Sequence, residues 1–175
     1  MAKIDQLDRE EVRHFAGLYP HQVEGVAFLI RKGRAILGDD MGLGKTRQAI
    51  VAMELGAPEG TILVVCPASL KLNWTREIRL VDPGAAIEVI GVDKEPVDQP
   101  RWIIVNYDIL SKHAERLHAV DWAGVILDEA HFIRKIDEFG GRFLLEFGQI
   151  HGCSRLQVEG AARGNWCAYG RVVAG

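Results

Sequence analysis

The chain has 175 residues, 48% hydrophobic and 26% charged, with a net charge of −3 and a pI near 6.1. That composition supports one domain with a real core, and its mild acidity excludes the broad basic field that draws in nucleic acid nonspecifically, leaving room only for a local basic strip. No apolar run approaches the roughly 20 residues of a membrane span, and residues 1–11 lack a signal peptide's apolar stretch, so no membrane role is expected.

In chain order, residues 1–17 read as a lead-in. Val23, Val26, Ala27 and Ile30 recur at helical spacing, with Pro20 suited to a first helical position and Gly33 to the stop, which predicts a helix over 20–32. Ala35-Ile36-Leu37 form the apolar centre of a short strand over 34–38. The loop 39–44 leads into a helix over 45–55, closed by Gly56. TILVVC over 61–66 is a β-rich run, and Pro67 opens a turn before a helix over about 70–80, broken by Asp82-Pro83-Gly84. Two more strands are expected near 86–90 and 102–106, then an amphipathic helix over 108–118 and a last buried strand, GVILD, over 124–128. Strands apolar on both faces and separated by helices predict an α/β fold, a three-layer α/β/α arrangement with a mostly parallel sheet.

Residues 136–175 read differently. Eight of the chain's 19 glycines fall there and no helical or strand period persists, which predicts a poorly packed tail. The three cysteines, Cys66, Cys153 and Cys167, form no close-spaced metal pair and cannot all be paired internally. A reduced, intracellular setting is expected, cytoplasmic or nucleoid-associated.

Two segments carry chemistry. GDDMGLGKT, 38–46, lies between a predicted strand and a predicted helix, the context a phosphate-binding loop requires. Gly42 and Gly44 let the backbone wrap phosphate oxygens closely, with Asp40, Met41 and Leu43 completing the cradle. The following helix start presents unpaired N–H groups to an anion. Lys45 would pair with the β- and γ-phosphates of ATP, and Thr46 would offer its hydroxyl to Mg²⁺. Asp39 stands where the strict pattern has glycine. The second segment, VILDEAH over 125–131, ends a strand in two carboxylates at the sheet edge where open α/β folds bind ligands. Asp128 would hold Mg²⁺ and Glu129 would orient and deprotonate the attacking water. Alone, such a pair is as often a solvated strand end; the preceding phosphate loop favours the catalytic reading.

LYPHQVEGVAFL, DDMGLGKT, VVCPASLKLNW, IIVNYDIL and ILDEAHF occur in the order and spacing seen in Swi/Snf-type ATPases of helicase superfamily two. The chain resembles that family over 18–135, and LKLNW is most similar to its annealing-helicase branch and bacterial relatives. The resemblance implies the first RecA-like lobe of a P-loop NTPase, in which Asp at the Asp39 position is common. It implies a DNA-dependent ATPase that tracks double-stranded DNA by its backbone without sequence specificity. Gln22 corresponds to an adenine-reading glutamine, whose amide offers both a donor and an acceptor. Pro67, Ala68, Ser69 and Lys71 correspond to a block touching strand phosphates at a helix start; Lys71 read alone is a solvated surface lysine, and only the motif sets a phosphate contact beside that reading. Asn106 and Tyr107 correspond to a further block near the track, though either could be a strand cap. Trp74 reads as a packing residue of its helix ahead of a base-stacking platform. His131 corresponds to a residue linking the nucleotide site to DNA coupling. The family's Gly-Thr-Pro coupling motif, its closing strands and a second lobe with arginine fingers do not follow. The resemblance therefore predicts a lobe incomplete at its C-terminus, an exposed sheet edge and slow hydrolysis without that partner lobe. Two other readings stay open: a stand-alone nucleotide-binding module without turnover, and a DEAH-type RNA helicase fragment, against which DDMGLGKT and LKLNW argue.

Overall fold

The computed structural model describes residues 17–37, 42–129 and 167–171. Helix α1 (Pro20–Lys32) starts on Pro20 and closes at Gly33, whose N–H donates to the Leu29 carbonyl at 2.9 Å. Strand β1 (Arg34–Leu37) follows, then α2 (Lys45–Gly56), β2 (Thr61–Cys66), a 3₁₀ turn (Ala68–Leu70) and α3 (Lys71–Val81). Strands β3 (Ile87–Val89) and β4 (Trp102–Asn106) come next. Two 3₁₀ turns (Tyr107–Ile109 and Ser111–His113), the short α4 (Ala114–His118) and β5 (Trp122–Asp128) follow. The single amphipathic helix expected over 108–118 is thus broken. Tyr107 and Leu110 reach the core from the tighter turns and Leu117 from α4, so an unbroken α-helix is not needed to bury them.

One sheet carries the order β1-β6-β5-β2-β4-β3. β2 lies between β4 and β5 and runs parallel to both, and β3 runs parallel to β4. Strand β6 (Cys167–Arg171) sits between β1 and β5 and runs antiparallel to each, so β1 points the same way as β5. The sheet is mostly parallel, as expected, but β6 corrects one expectation: residues 167–171 form an interior strand where only a poorly packed tail was expected. A central strand is held by backbone ladders on both sides, so CAYGR needs no long apolar run to join.

Alternation along the strands divides the core. Ile62, Val64, Cys66, Trp102, Ile104 and Ile126 face α1, α2 and α3 and pack with Val26, Leu29, Ile50, Met53, Trp74 and Ile78. Leu63, Val65, Ile103, Val105, Val125 and Leu127 point the other way, onto Tyr107, Leu110, Leu117 and Trp122. Because side chains alternate with period two, strands apolar at every position can only be covered on both faces. Among the described residues, no helix is long and apolar enough to cross a membrane.

Ile126 is fully buried on β5, between β2 and β6. Ile126→Ala is expected to lower unfolding free energy by about 2–5 kcal/mol, since close-packed neighbours collapse only partly into the space left. A urea melt checks this; a change under about 0.5 kcal/mol would show that β5 is not central to the core.

Candidate nucleotide site

The shared direction of β1, β2, β4 and β5 brings their carboxyl ends to one edge of the sheet. The loop that follows β1, Pro67 after β2, Tyr107 after β4 and Asp128 at the end of β5 therefore lie along one rim, where open α/β sheets take ligands.

At the β1 end, Gly42 and Gly44 have φ of 86° and 73°, left-handed values that glycine alone adopts without strain. At Gly44 a side chain is excluded twice over, because a Cβ would run into Nε2 of Gln22. That contact exists because the Leu43 carbonyl gathers two amides: Gln22 donates to it at 3.2 Å and Gln48 at 3.1 Å. The other end of the Gln22 amide accepts the Tyr19 N–H at 3.0 Å, closing the first turn of α1. Gln22 is 7% exposed and Gln48 fully buried, so α1 and α2 together fix the loop just before Lys45, the first residue of α2. Lys45 and Thr46 open α2 directly after this loop, at a helix start of the kind that attracts anions.

At the β5 end, Asp128 is anchored on several sides. Nε1 of Trp74 donates to Oδ2 at 2.8 Å, and the Tyr107 hydroxyl donates to the Asp128 carbonyl at 2.8 Å. Burial pushes the Asp128 carboxyl above its usual range, while the Trp74 indole, the Glu129 backbone N–H and the positive charge of Lys45 each draw it back down. Glu129, next in the chain, holds φ at 52°, unusual for a residue with a side chain. Among the described residues no cluster of three or more His, Cys, Asp or Glu forms a self-sufficient metal cage. One carboxylate beside a phosphate cradle is instead the donor set Mg²⁺ commonly takes, with phosphate oxygens supplying further ligands. The residues present fit that ion with a nucleotide.

The residues expected on the DNA side divide. Ala68 and Ser69 are exposed in the 3₁₀ turn before α3. Lys71 is not: it is 5% exposed and its ammonium donates to the Ile90 carbonyl at 2.7 Å. This corrects the picture of a solvated lysine, and a phosphate contact from Nζ would require that bond to open. Burial draws its pKa down, opposed by Cys66 and Asp108. Asn106 is buried, and its amide donates to the Asp108 carboxylate at 3.0 Å, a side-chain bond that caps no backbone group. Tyr107 is buried as well. Asp40, Met41 and His131 lie outside the described residues.

Sequence reasoning missed two contributors. Trp74 is fully buried, as a packing residue should be, but its N–H also reaches the acidic strand end. Gln48 offered a signal, a long polar side chain amid the apolar run Ala49-Ile50-Val51-Ala52-Met53 that the core covers. Arg47 adds a link between α2 and α3 through Glu77, at 3.0 Å, worth about 0–1 kcal/mol at such a partly exposed position.

Residues 21–151 match the SNF2-related domain family. The chain belongs to that family. It is 32% identical over 142 residues to the Xenopus laevis SWI/SNF-related matrix-associated actin-dependent regulator of chromatin subfamily A-like protein 1, covering 78% of this chain and 15% of that protein. It is 34% identical over 154 residues to the Bos taurus DNA annealing helicase and endonuclease ZRANB3, covering 82% of this chain and 14% of that one. The solved Sulfolobus solfataricus SWI2/SNF2 ATPase core in complex with dsDNA superposes with a TM-score of 0.64 at 30% identity, covering 74% of this chain and 29% of that one. The chain therefore carries an SNF2-type, helicase-like ATPase domain and spans about one-seventh of those two curated relatives.

The rim also yields a pH prediction. Cys66, at the end of β2, has its thiol pushed up to about 12 from 9.0, chiefly by burial and then by the Asp128 charge, with Lys71 opposing. Because the folded value is raised, the protonated thiol's stabilising contribution is complete below pH 9.0 and disappears as pH climbs toward about 12. At about pH 8.5, folded protein should resist iodoacetamide at Cys66 and urea-unfolded protein should react. Peptide mass mapping checks it; rapid labelling of Cys66 in the folded state would contradict the burial.

Proposed function

We propose that this rim is a Mg-ATP site and that the chain is the ATP-hydrolysing first lobe of a double-stranded-DNA translocase of the Swi/Snf type. The observation that carries the reading is positional: the left-handed glycines Gly42 and Gly44 lead straight into Lys45, at the start of α2, and Asp128 ends β5 close enough for the Lys45 charge to draw its carboxyl down. A cation after a glycine loop and a carboxylate one strand-end away are the two poles between which a magnesium-bound triphosphate fits. Gly42 leaves the backbone open to phosphate oxygens, Lys45 would take the β- and γ-phosphates, and Thr46 and Asp128 would hold the cation. When bound, Mg²⁺ neutralises phosphate charge as it develops during transfer. Glu129 orients the attacking water and accepts its proton. Gln22 has one N–H and one lone pair engaged with Leu43 and Tyr19; the second of each is what an adenine edge would meet.

The DNA side rests on Ser69, exposed in the turn that opens α3, where a hydroxyl at a helix start is suited to a phosphate. The archaeal relative was solved with dsDNA, which favours duplex over RNA as the stimulating polymer. A transition-state arginine from a second lobe is worth roughly 10³–10⁵ in rate for phosphoryl transfer. Turnover by this lobe alone should accordingly be slow.

Lys45→Ala should weaken Mg-ATP binding at least about 10- to 100-fold, the worth of charge-assisted hydrogen bonds at roughly 1.5–3 kcal/mol. Calorimetric titration measures it, and unchanged affinity would remove the phosphate-loop assignment. With a second lobe supplied, duplex DNA should raise hydrolysis more than RNA; the reverse order would favour an RNA helicase.

A further inference from the structure

We propose that Trp74 is a positioning residue for the metal-binding carboxylate, its indole N–H fixing Asp128 and tying the helix after the exposed Ser69 turn to the nucleotide site. The proposal rests on the reading of Asp128 given above.

Trp74 lies on α3, one turn beyond Lys71, and is fully buried. Its N–H meets Oδ2 of Asp128 at 2.8 Å, a charge-assisted length. An indole nitrogen donates and cannot accept, so this partner favours the ionised, acceptor form of the carboxylate and fixes its plane. The Tyr107 hydroxyl holds the same residue's carbonyl at 2.8 Å. Two segments that follow different strands, β2 and β4, therefore each send a donor to Asp128. Both are segments whose first residues lie on the rim near Ser69 and Asn106. A displacement of α3 by a polymer at the Ser69 turn would move the Trp74 donor, and with it the carboxylate. Partners of this kind, one bond removed from an ion, commonly govern its affinity as strongly as the ligands themselves.

The fold supplies a matched control. Trp102 is equally buried, and its Nε1 donates to Oε1 of Glu54 at 3.0 Å. It stands at the start of β4, on the opposite edge of the sheet from Asp128. Trp74→Phe and Trp102→Phe thus each remove one indole N–H from a carboxylate while keeping an aromatic ring, and only the first touches the rim.

The experiment titrates MgCl₂ into the full chain with fluorescent ADP, for the wild type, Trp74→Phe, Trp102→Phe and Asp128→Asn. Trp74→Phe should raise the half-saturating Mg²⁺ concentration roughly 10-fold or more, with ADP affinity in EDTA unchanged. Trp102→Phe should leave both at wild-type values, and Asp128→Asn should raise the Mg²⁺ requirement at least as much as Trp74→Phe. A wild-type Mg²⁺ response in Trp74→Phe beside a shifted one in Asp128→Asn overturns the role of Trp74 alone. No shift in Asp128→Asn overturns the metal assignment and the proposal with it. Equal shifts in both tryptophan variants mean general loosening and also overturn it. Should Trp74→Phe not fold, the wild-type indole N–H resonances decide: Mg²⁺ added to the ADP complex should move the Trp74 signal and not the Trp102 signal, and a stationary Trp74 signal counts against the proposal.

Discussion

A carboxylate at the end of a buried strand is costly to keep charged, and the neighbourhood of Asp128 is arranged around that constraint. Burial raises the carboxyl's pKa and so works against the charged form that a cation needs. The Trp74 indole, the Glu129 amide and the Lys45 ammonium oppose this from three directions. Each comes from a different part of the chain, so the charge state of one side chain depends on α2, α3 and β5 being assembled together. A defect in any of these packing surfaces would reach the site as an electrostatic change before it reached it as a gross movement.

The loop end of the rim obeys a similar logic with neutral groups. The Leu43 carbonyl receives amides from Gln22 on α1 and Gln48 on α2. Two buried side chains thereby orient one peptide group, and that peptide immediately precedes Gly44 and Lys45. The glycine at 44 follows from this arrangement as much as from its φ, since the Gln22 amide occupies the space a Cβ would need. Fixing the backbone in advance means that an anion arriving at α2 finds its donors aligned, with little ordering left to do.

How much of this could be read in advance depended on whether an interaction leaves a local pattern. Pro20 and Gly33 bracket α1 at the predicted residues, and TILVVC and WIIVN are strands at the predicted residues. These elements are specified by nearby side chains and by the period-two burial of a parallel sheet. Trp74 and Asp128 are separated by 54 positions, and nothing in LKLNW says which acceptor its indole will find; only the sheet order brings them together. Lys71 was misread for a related reason. A lysine two residues after an exposed serine looks solvated in sequence, but α3 turns it inward onto the Ile90 carbonyl beside Cys66.

Strand β6 marks where side-chain patterns stop carrying information. Its place between β1 and β5 is defined by ladders to Arg34–Leu37 on one side and Gly124–Asp128 on the other. Those hydrogen bonds use main-chain groups that every residue except proline possesses, so CAYGR can fill an interior position without resembling VVC or VIL. The strand also lies beyond residues 21–151, the stretch that matches the family. In this sheet β1 touches β5 only through β6. The relative position of the strand that precedes the glycine loop and the strand that ends in Asp128 is therefore set by a backbone ladder from outside the matched region, reinforced from the helical side by α1 and α2 packing on Ile62, Ile104 and Ile126.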